Sequence, residues 1–268
     1  MHRRPTLAVL GLTATAVLLS ACSGASTPTV VAAASSAPAE SPAATPSVEP
    51  TPSPSASPSA SASPSAAGYD VAAAQRILAD GGYYAGAVDG RPGPAMRSAV
   101  MAFQKVNGLG VDGTVGPVTL KALAAPKTPV LMGSAPADRV EVDLTKQVLY
   151  VVKGGAISRI MPVSSGNGAT YARKSGGTAR ALTPVGHYTI ERRIVGERHA
   201  DLGTLYDPQY FYRGWAIHGS NSVPAGPASH GCVRVTRPDA RYLLDLIGDG
   251  TSVYLYGGTH VFTAGSAA

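Results

Sequence analysis

Cys232 is the residue on which a chemical reading of this chain turns. It stands in Ser229-His230-Gly231-Cys232-Val233-Arg234, fourteen residues after the His218 of Ala216-Ile217-His218-Gly219. A thiol attacks a carbonyl only as thiolate, so it needs a base or a positive charge to bring down an ordinary pKa of ~8.5. An imidazole within hydrogen-bond reach takes the thiol proton and later returns it to a leaving amine. A third group must hold that ring in one tautomer. Glycine beside the nucleophile lets a carbonyl substrate approach and frees backbone N–H groups to hold an oxyanion. Gly219 follows His218, and Gly231 separates His230 from Cys232. One stretch therefore carries every part of a thiol acyl-transfer site.

His218, His230 and Cys232 are also ligand types for zinc. The paired spacings of structural zinc sites are missing, however, and no acidic residue flanks the stretch, so the thiolate reading is preferred and neither metal nor cofactor is expected. Cys22 is the other cysteine. It follows a signal-peptide layout over residues 1–21: His2, Arg3 and Arg4, then an apolar run from Leu7 to Leu19 that is too short for a bilayer core of ~30 Å. Leu19-Ser20-Ala21-Cys22 resembles the lipobox of bacterial lipoproteins, which implies lipid on Cys22 and a body held at the outer face of the cytoplasmic membrane. Cys232 then has no disulfide partner, and an unpaired thiol in an exported protein points to reactivity. The formal charge is +6 over 268 residues. With no Lys/Arg run to track a phosphate backbone, nucleic acid is not an expected partner, and an anionic wall polymer is an adequate one.

The elements that must carry this site fall into blocks. Residues 22–67 are nearly all Ala, Ser, Pro and Thr; no apolar period exists there, so a disordered, partly polyproline-like linker is expected. Residues 68–126 read as three short helices. Asp70 is a candidate N-cap before Val71, Ala74, Ile77 and Leu78, and Gly81-Gly82 is the stop. Val88-Asp89-Gly90 and Val111-Asp112-Gly113 form an internal echo, each leading through Pro94 or Pro117 into a helical run. The second helix should bury Ala99, Val100 and Phe103, and the third Leu120 and Leu123. Asp89 and Asp112 are read as turn residues. With Gln75, Gly82-Tyr83-Tyr84 and Phe103-Gln104, this block resembles the peptidoglycan-binding module of bacterial wall enzymes. It departs from that pattern at Arg91-Pro92, where an aromatic is expected.

After a second linker, Pro126 to Pro136, residues 137–258 change to period two. Strands are expected at 140–144, 147–153, 156–164, 185–191, 215–218 and 251–256, the first two joined by a turn at Lys146-Gln147. One helix starts at a Thr236 cap, with Asp239 three residues on, buries Ala240, Leu243, Leu244 and Ile247, and ends at Gly248. The expected architecture is a mainly β sandwich or open barrel with one helix, beside a small all-α module. Residues 259–268 are left as a tail.

His218-Gly219, a loop, and Ser229-His230-Gly231-Cys232-Val233-Arg234 together resemble the signature of the L,D-transpeptidases. Thr183-Pro184-Val185-Gly186 and Gly203-Thr204-Leu205-Tyr206 extend the likeness. The resemblance implies Cys232 as nucleophile, His218 as base and later acid, and backbone at Gly219 as its orienter. It implies N–H groups of Gly231 and Cys232 as the oxyanion hole, with His230 in support and Ser229 and Arg234 bracing the loop or a substrate carboxylate. In the aromatic cluster ahead of His218, Tyr206 and Tyr210 are candidates for the groove border. His187 and His199 lie outside the signature. The implied reaction is on peptidoglycan peptide stems: a Cys thioester forms on a tetrapeptide, D-alanine leaves, and an amine accepts the acyl group to make a 3→3 cross-link. Carbapenem-type β-lactams are implied covalent inhibitors. Two other readings stay open, an L,D-carboxypeptidase with water as acceptor and a non-catalytic wall-anchoring lipoprotein.

Overall fold

A computed structural model describes residues 68–264. The signal peptide, Cys22 and the 22–67 linker expected from the sequence lie outside those residues. The described part begins with the three-helix module: α1 (Val71–Asp80), α2 (Pro94–Asn107) and α3 (Pro117–Leu123). Asp70 caps α1 by accepting from the Ala73 N–H at 2.9 Å, which satisfies one of the donors that a helix start leaves open. Pro94 and Pro117 each occupy the first turn of their helix, where a missing N–H does no harm. Ala99, Val100, Phe103 and Leu123 are buried as expected, whereas Leu120 is 38% exposed.

The internal echo has a physical basis in two buried glutamines. Gln75 Nε2 donates to Asp89 Oδ1 at 2.9 Å and to Arg91 O at 3.1 Å, and its Oε1 accepts from Gly90 N at 2.9 Å. Gln104 repeats the pattern on the second turn, donating to Asp112 Oδ1 at 2.7 Å and Thr114 O at 3.0 Å and accepting from Gly113 N at 2.9 Å. Each helix thus clamps one Asp-Gly turn through a side-chain amide. Arg91, where an aromatic is expected, is exposed and takes part through its backbone carbonyl.

The β domain follows with β1 (Arg139–Asp143), β2 (Val148–Lys153), β3 (Ala156–Pro162), β4 (Thr170–Ala172), β5 (Thr178–Arg180), β6 (Thr183–Thr189), β7 (Arg192–Arg193), β8 (Glu197–Ala200), β9 (Gly203–Tyr212), β10 (Trp215–Ser220) and β11 (Val233–Thr236). After these come α4 (Arg237–Leu246), β12 (Ser252–Tyr256) and β13 (Val261–Thr263). A six-stranded sheet runs β13-β6-β12-β1-β2-β3; a second runs β11-β10-β9-β7 with β8 also on β9; β4 and β5 form a separate hairpin. The residues expected to be a tail are therefore partly structural, because β13 lies parallel to β6, Val261 beside Thr183. Thr236 caps α4, accepting from Asp239 N at 3.2 Å and donating to Asp239 Oδ2 at 2.6 Å.

In the six-stranded sheet, β1, β2 and the second half of β3 are buried on both faces. Val140, Val142, Leu149, Val151, Met161, Val253 and Leu255 pack with Phe211, Ile217, Val233 and Val235 of the second sheet and with Ala240 and Leu243 of α4. The alternate residues Val148, Tyr150, Val152 and Ile160 join Leu78, Tyr83, Val100 and Phe103 of the module in one core. The segment Pro126 to Pro136, expected as a linker, is also fastened: Met132 N donates to the Glu141 carboxylate, and Arg139 donates to Pro136 O at 2.7 Å and to Met132 O at 3.2 Å.

Candidate active site

β10 and β11 are parallel neighbours, with Ile217 beside Val233 and His218 beside Arg234. This pairing brings Cys232, the residue just before β11, alongside the strand that carries His218. A register shift in the β9–β10 ladder falls between Ile217 and Gly219, and Asp207 on the facing strand has φ 47°. A bulge of this kind re-aims a side chain, here at His218. His218 is 7% exposed and its Nδ1 lies 2.9 Å from Gly219 O. A carbonyl oxygen only accepts, so Nδ1 carries the proton in that bond and Nε2 keeps its lone pair. Gly219 itself is dictated by packing: a Cβ there would lie 3.0 Å from Arg237 Cα and 3.1 Å from Ala240 Cβ at the start of α4.

Cys232 is half-buried and unpaired, its Sγ 3.8 Å from Gly214 O. The turn ahead of it is locked. Ser229 Oγ donates to Cys232 O at 2.6 Å and accepts from Gly231 N at 2.9 Å. Thr183 Oγ1 donates to Gly231 O at 2.7 Å. Gly231 has φ 140°, and a Cβ there would stand 2.6 Å from Leu182 O and 2.8 Å from Trp215 Nε1; no other residue fits. His218, Cys232, His230, Ser229 and Arg234 line one open cavity of about 260 Å³ together with Tyr171, Trp215 and the 202–205 segment.

The YkuD model, an L,D-transpeptidase catalytic domain, matches residues 137–255, and a putative peptidoglycan binding domain matches residues 67–123. An L,D-transpeptidase from Xylanimonas cellulosilytica is 44% identical and superposes with a TM-score of 0.67 over 71% of this chain and 94% of that one. The chain belongs to the L,D-transpeptidase family. Its curated relatives match over shorter stretches. An N-acetylmuramoyl-L-alanine amidase of Mycobacterium tuberculosis is 43% identical over 74 residues, 28% of this chain and 18% of that protein. A localization factor of Caulobacter vibrioides is 42% identical over 59 residues, 22% of this chain and 6% of that protein. This chain thus spans less than a fifth of either curated relative.

The electrostatics of this L,D-transpeptidase site keep both partners neutral. Burial, joined by the adjacent Arg234 guanidinium and opposed by the Gly219 carbonyl, brings His218 down to about 4. Burial also pushes the Cys232 thiol up, against the pull of the Ala216 N–H and of Arg234. Desolvation disfavours whichever form is charged, so the resting pair is thiol and free imidazole rather than thiolate and imidazolium. His218 is consequently unprotonated across the neutral range, with Nε2 free to accept a hydrogen bond.

The structure separates the other candidates. His230 is exposed on the cavity rim, edge-on to Tyr171 at 4.8 Å. Ser229 is a brace, as its two bonds require. Arg234 is tied by its backbone to Ser164 in both directions at 3.0 Å and presents its side chain to the cavity. The Gly231 N–H is a correction: it is committed to Ser229 Oγ and is not free to hold an oxyanion. Tyr206 and Tyr210 are two more, since neither lines the cavity. Arg237 lies 3.8 Å over the Tyr206 ring, and Arg192 lies 4.0 Å over that of buried Tyr210. His187 stacks on Tyr254 and His199 meets Thr204 Oγ1, both off the cavity. Among the described residues no three His, Cys, Asp or Glu side chains converge as metal ligands do. Tyr171 is the residue that sequence reasoning missed. Its signal was present in Gly176-Gly177, a hairpin turn between two short runs.

Proposed function

We propose that this chain is a cysteine L,D-transpeptidase acting on peptidoglycan tetrapeptide stems. The observation that carries the reading is His218, whose Nδ1–H is held by Gly219 O so that Nε2 stays an acceptor in the cavity that also holds the Cys232 thiol. In the first half-reaction His218 Nε2 takes the thiol proton as Sγ attacks the carbonyl of the third stem residue. The C–N bond to the terminal D-alanine breaks, and His218 returns the proton to the leaving amine, which departs as D-alanine. A thioester on Cys232 remains. The side-chain amine of a second stem then attacks that thioester. His218 removes the amine proton and passes it to the departing sulfur, and a 3→3 amide cross-link results. The Cys232 N–H is the loop's candidate oxyanion donor once Gly231 is engaged elsewhere.

The chain's placement belongs to the same reading: lipid on Cys22 anchors it at the outer face of the cytoplasmic membrane, and the three-helix module holds it on the wall. Incubating the soluble part with a disaccharide-tetrapeptide and resolving products by mass tests the chemistry. D-alanine release with 3→3 dimers, both lost in Cys232→Ala, is the expected result. Release of D-alanine with tripeptide alone would make it a carboxypeptidase. An inert wild type would leave a non-catalytic wall anchor. The thiol chemistry also calls for a carbapenem to add its mass to wild type and not to Cys232→Ala.

A further inference from the structure

Lys105 stands on α2 of the three-helix module, yet it is 6% exposed. Its Nζ donates to two carbonyls of the β domain, Gln147 O at 3.0 Å and Val163 O at 2.9 Å. Burial brings its ammonium down to about 8. A buried ammonium is an expensive way to fill a helix–sheet contact, and an apolar side chain of similar length would serve stability as well. What the ammonium does that a methyl cannot is fix the two carbonyls.

Those two carbonyls begin an unbroken path to the nucleophile. Val163 N also donates to Gln147 O at 2.9 Å, so Lys105 closes the junction between the β1–β2 turn and the end of β3. Gln147, 4% exposed and held at φ 58°, then reaches forward with its side chain. Its Nε2 donates to Ser165 Oγ at 2.8 Å and its Oε1 accepts from Ser165 N at 2.8 Å. Ser165 O accepts from Ala228 N at 2.9 Å and Ser229 N at 2.8 Å. Ser229 Oγ grips Cys232 O and Gly231 N. The neighbouring Ser164 ladders with Arg234 on the far side of Cys232. The cysteine turn is therefore held on both flanks by the 163–165 segment, and that segment is held by Lys105.

We infer that Lys105 is a positioning residue for the Cys232 turn, so that the module is part of the catalytic apparatus as well as a wall contact. The inference rests on the reading of Cys232 as nucleophile. Buried polar networks set geometry when every member is bonded, and a misplacement of about 1 Å in a reacting group can cost on the order of a hundredfold in rate.

The test uses the soluble chain with its module, in four forms: Lys105→Met, Lys105→Gln, Ser165→Ala and the double variant Lys105→Met/Ser165→Ala. The readouts are D-alanine release from a disaccharide-tetrapeptide, the rate at which iodoacetamide alkylates Cys232, and thermal melting. Expected are a fall in kcat of about tenfold or more in each single variant with KM little changed, slower Cys232 alkylation, and a melt that stays cooperative. The double variant should lose little beyond either single one, because both cut the same path. Wild-type kcat and alkylation in folded Lys105→Met, which has no donor for the two carbonyls, would overturn the inference. So would multiplied losses in the double variant, or failure of both Lys105 variants to fold, since either would make Lys105 a fastening of the module and nothing more. If Cys232→Ala keeps full activity, the nucleophile reading fails instead, and the alkylation rates still report on the path from Lys105.

Discussion

Ser229 Oγ lies 2.6 Å from the carbonyl oxygen of Cys232 and, on its other side, 2.9 Å from the Gly231 N–H. One buried hydroxyl thus donates to the Cys232 backbone and accepts from that of Gly231. Ser229→Ala removes both bonds and leaves the buried Gly231 N–H unsatisfied, which costs about 1–3 kcal/mol. D-alanine release should fall roughly 10- to 100-fold, with the urea midpoint lowered in step. A variant that loses stability but keeps wild-type kcat would reduce Ser229 to a turn residue.

His218 sets the pH behaviour. Its pKa falls from 6.5 in the unfolded chain to about 4 in the fold. Between those values the unfolded state binds the extra proton, so stability is fully present above pH 6.5 and drains away as pH drops toward 4. The loss approaches about 3 kcal/mol at its limit. Urea melts at pH 7.0, 5.5 and 4.5 should show this slope in wild type and a shallower one in His218→Gln. The acid limb of kcat/KM should likewise sit well below 6.5. An acid limb near 6.5 would mean that substrate binding does not meet a neutral, desolvated imidazole.

Gly231 is squeezed between Leu182 O and the Trp215 ring, while Trp215 Nε1 donates to that same Leu182 O at 2.9 Å. Gly231→Ala cannot keep φ 140° and clear both groups. The loop should shift, activity should fall by about a hundredfold or more, and Trp215 fluorescence should change with it. Unchanged emission together with lost activity would place the damage elsewhere in the turn.

The proposed pair, Cys232 and His218, was legible in the sequence because the chemistry needs named residue types: a thiol, an imidazole and glycines beside them. The rest depends on which face a residue presents, and type alone does not tell that. Tyr206 and Tyr210 look like groove aromatics, but their rings lie under Arg237 and Arg192 and do not line the cavity. Gly231 looks like an oxyanion donor until Ser229 is seen to use its N–H. Lys105 looks like any solvated lysine on a helix. The run Val148-Leu149-Tyr150-Val151-Val152 did hold a clue. An unbroken apolar run is what a strand covered on both sides requires, whereas a half-exposed strand alternates. The spacing says that something covers the second face, and the fold supplies the module.

Removing that cover gives the last prediction. Val148, Tyr150, Val152 and Ile160 share one core with Leu78, Tyr83, Val100 and Phe103 of the module. A chain restricted to residues 127–268 would leave these four side chains on an open sheet face, along with the carbonyls that Lys105 holds. Each large apolar side chain left in water forfeits about 1.5–3 kcal/mol, and the four together are comparable to the whole stability of an ordinary domain, about 5–15 kcal/mol. The truncated chain should bind a hydrophobic dye, associate on a sizing column and lose a cooperative melt, while the chain from residue 68 onward behaves as one cooperative unit. A monomeric 127–268 fragment with the melting temperature of the longer chain would show that the second face of the sheet does not need the module.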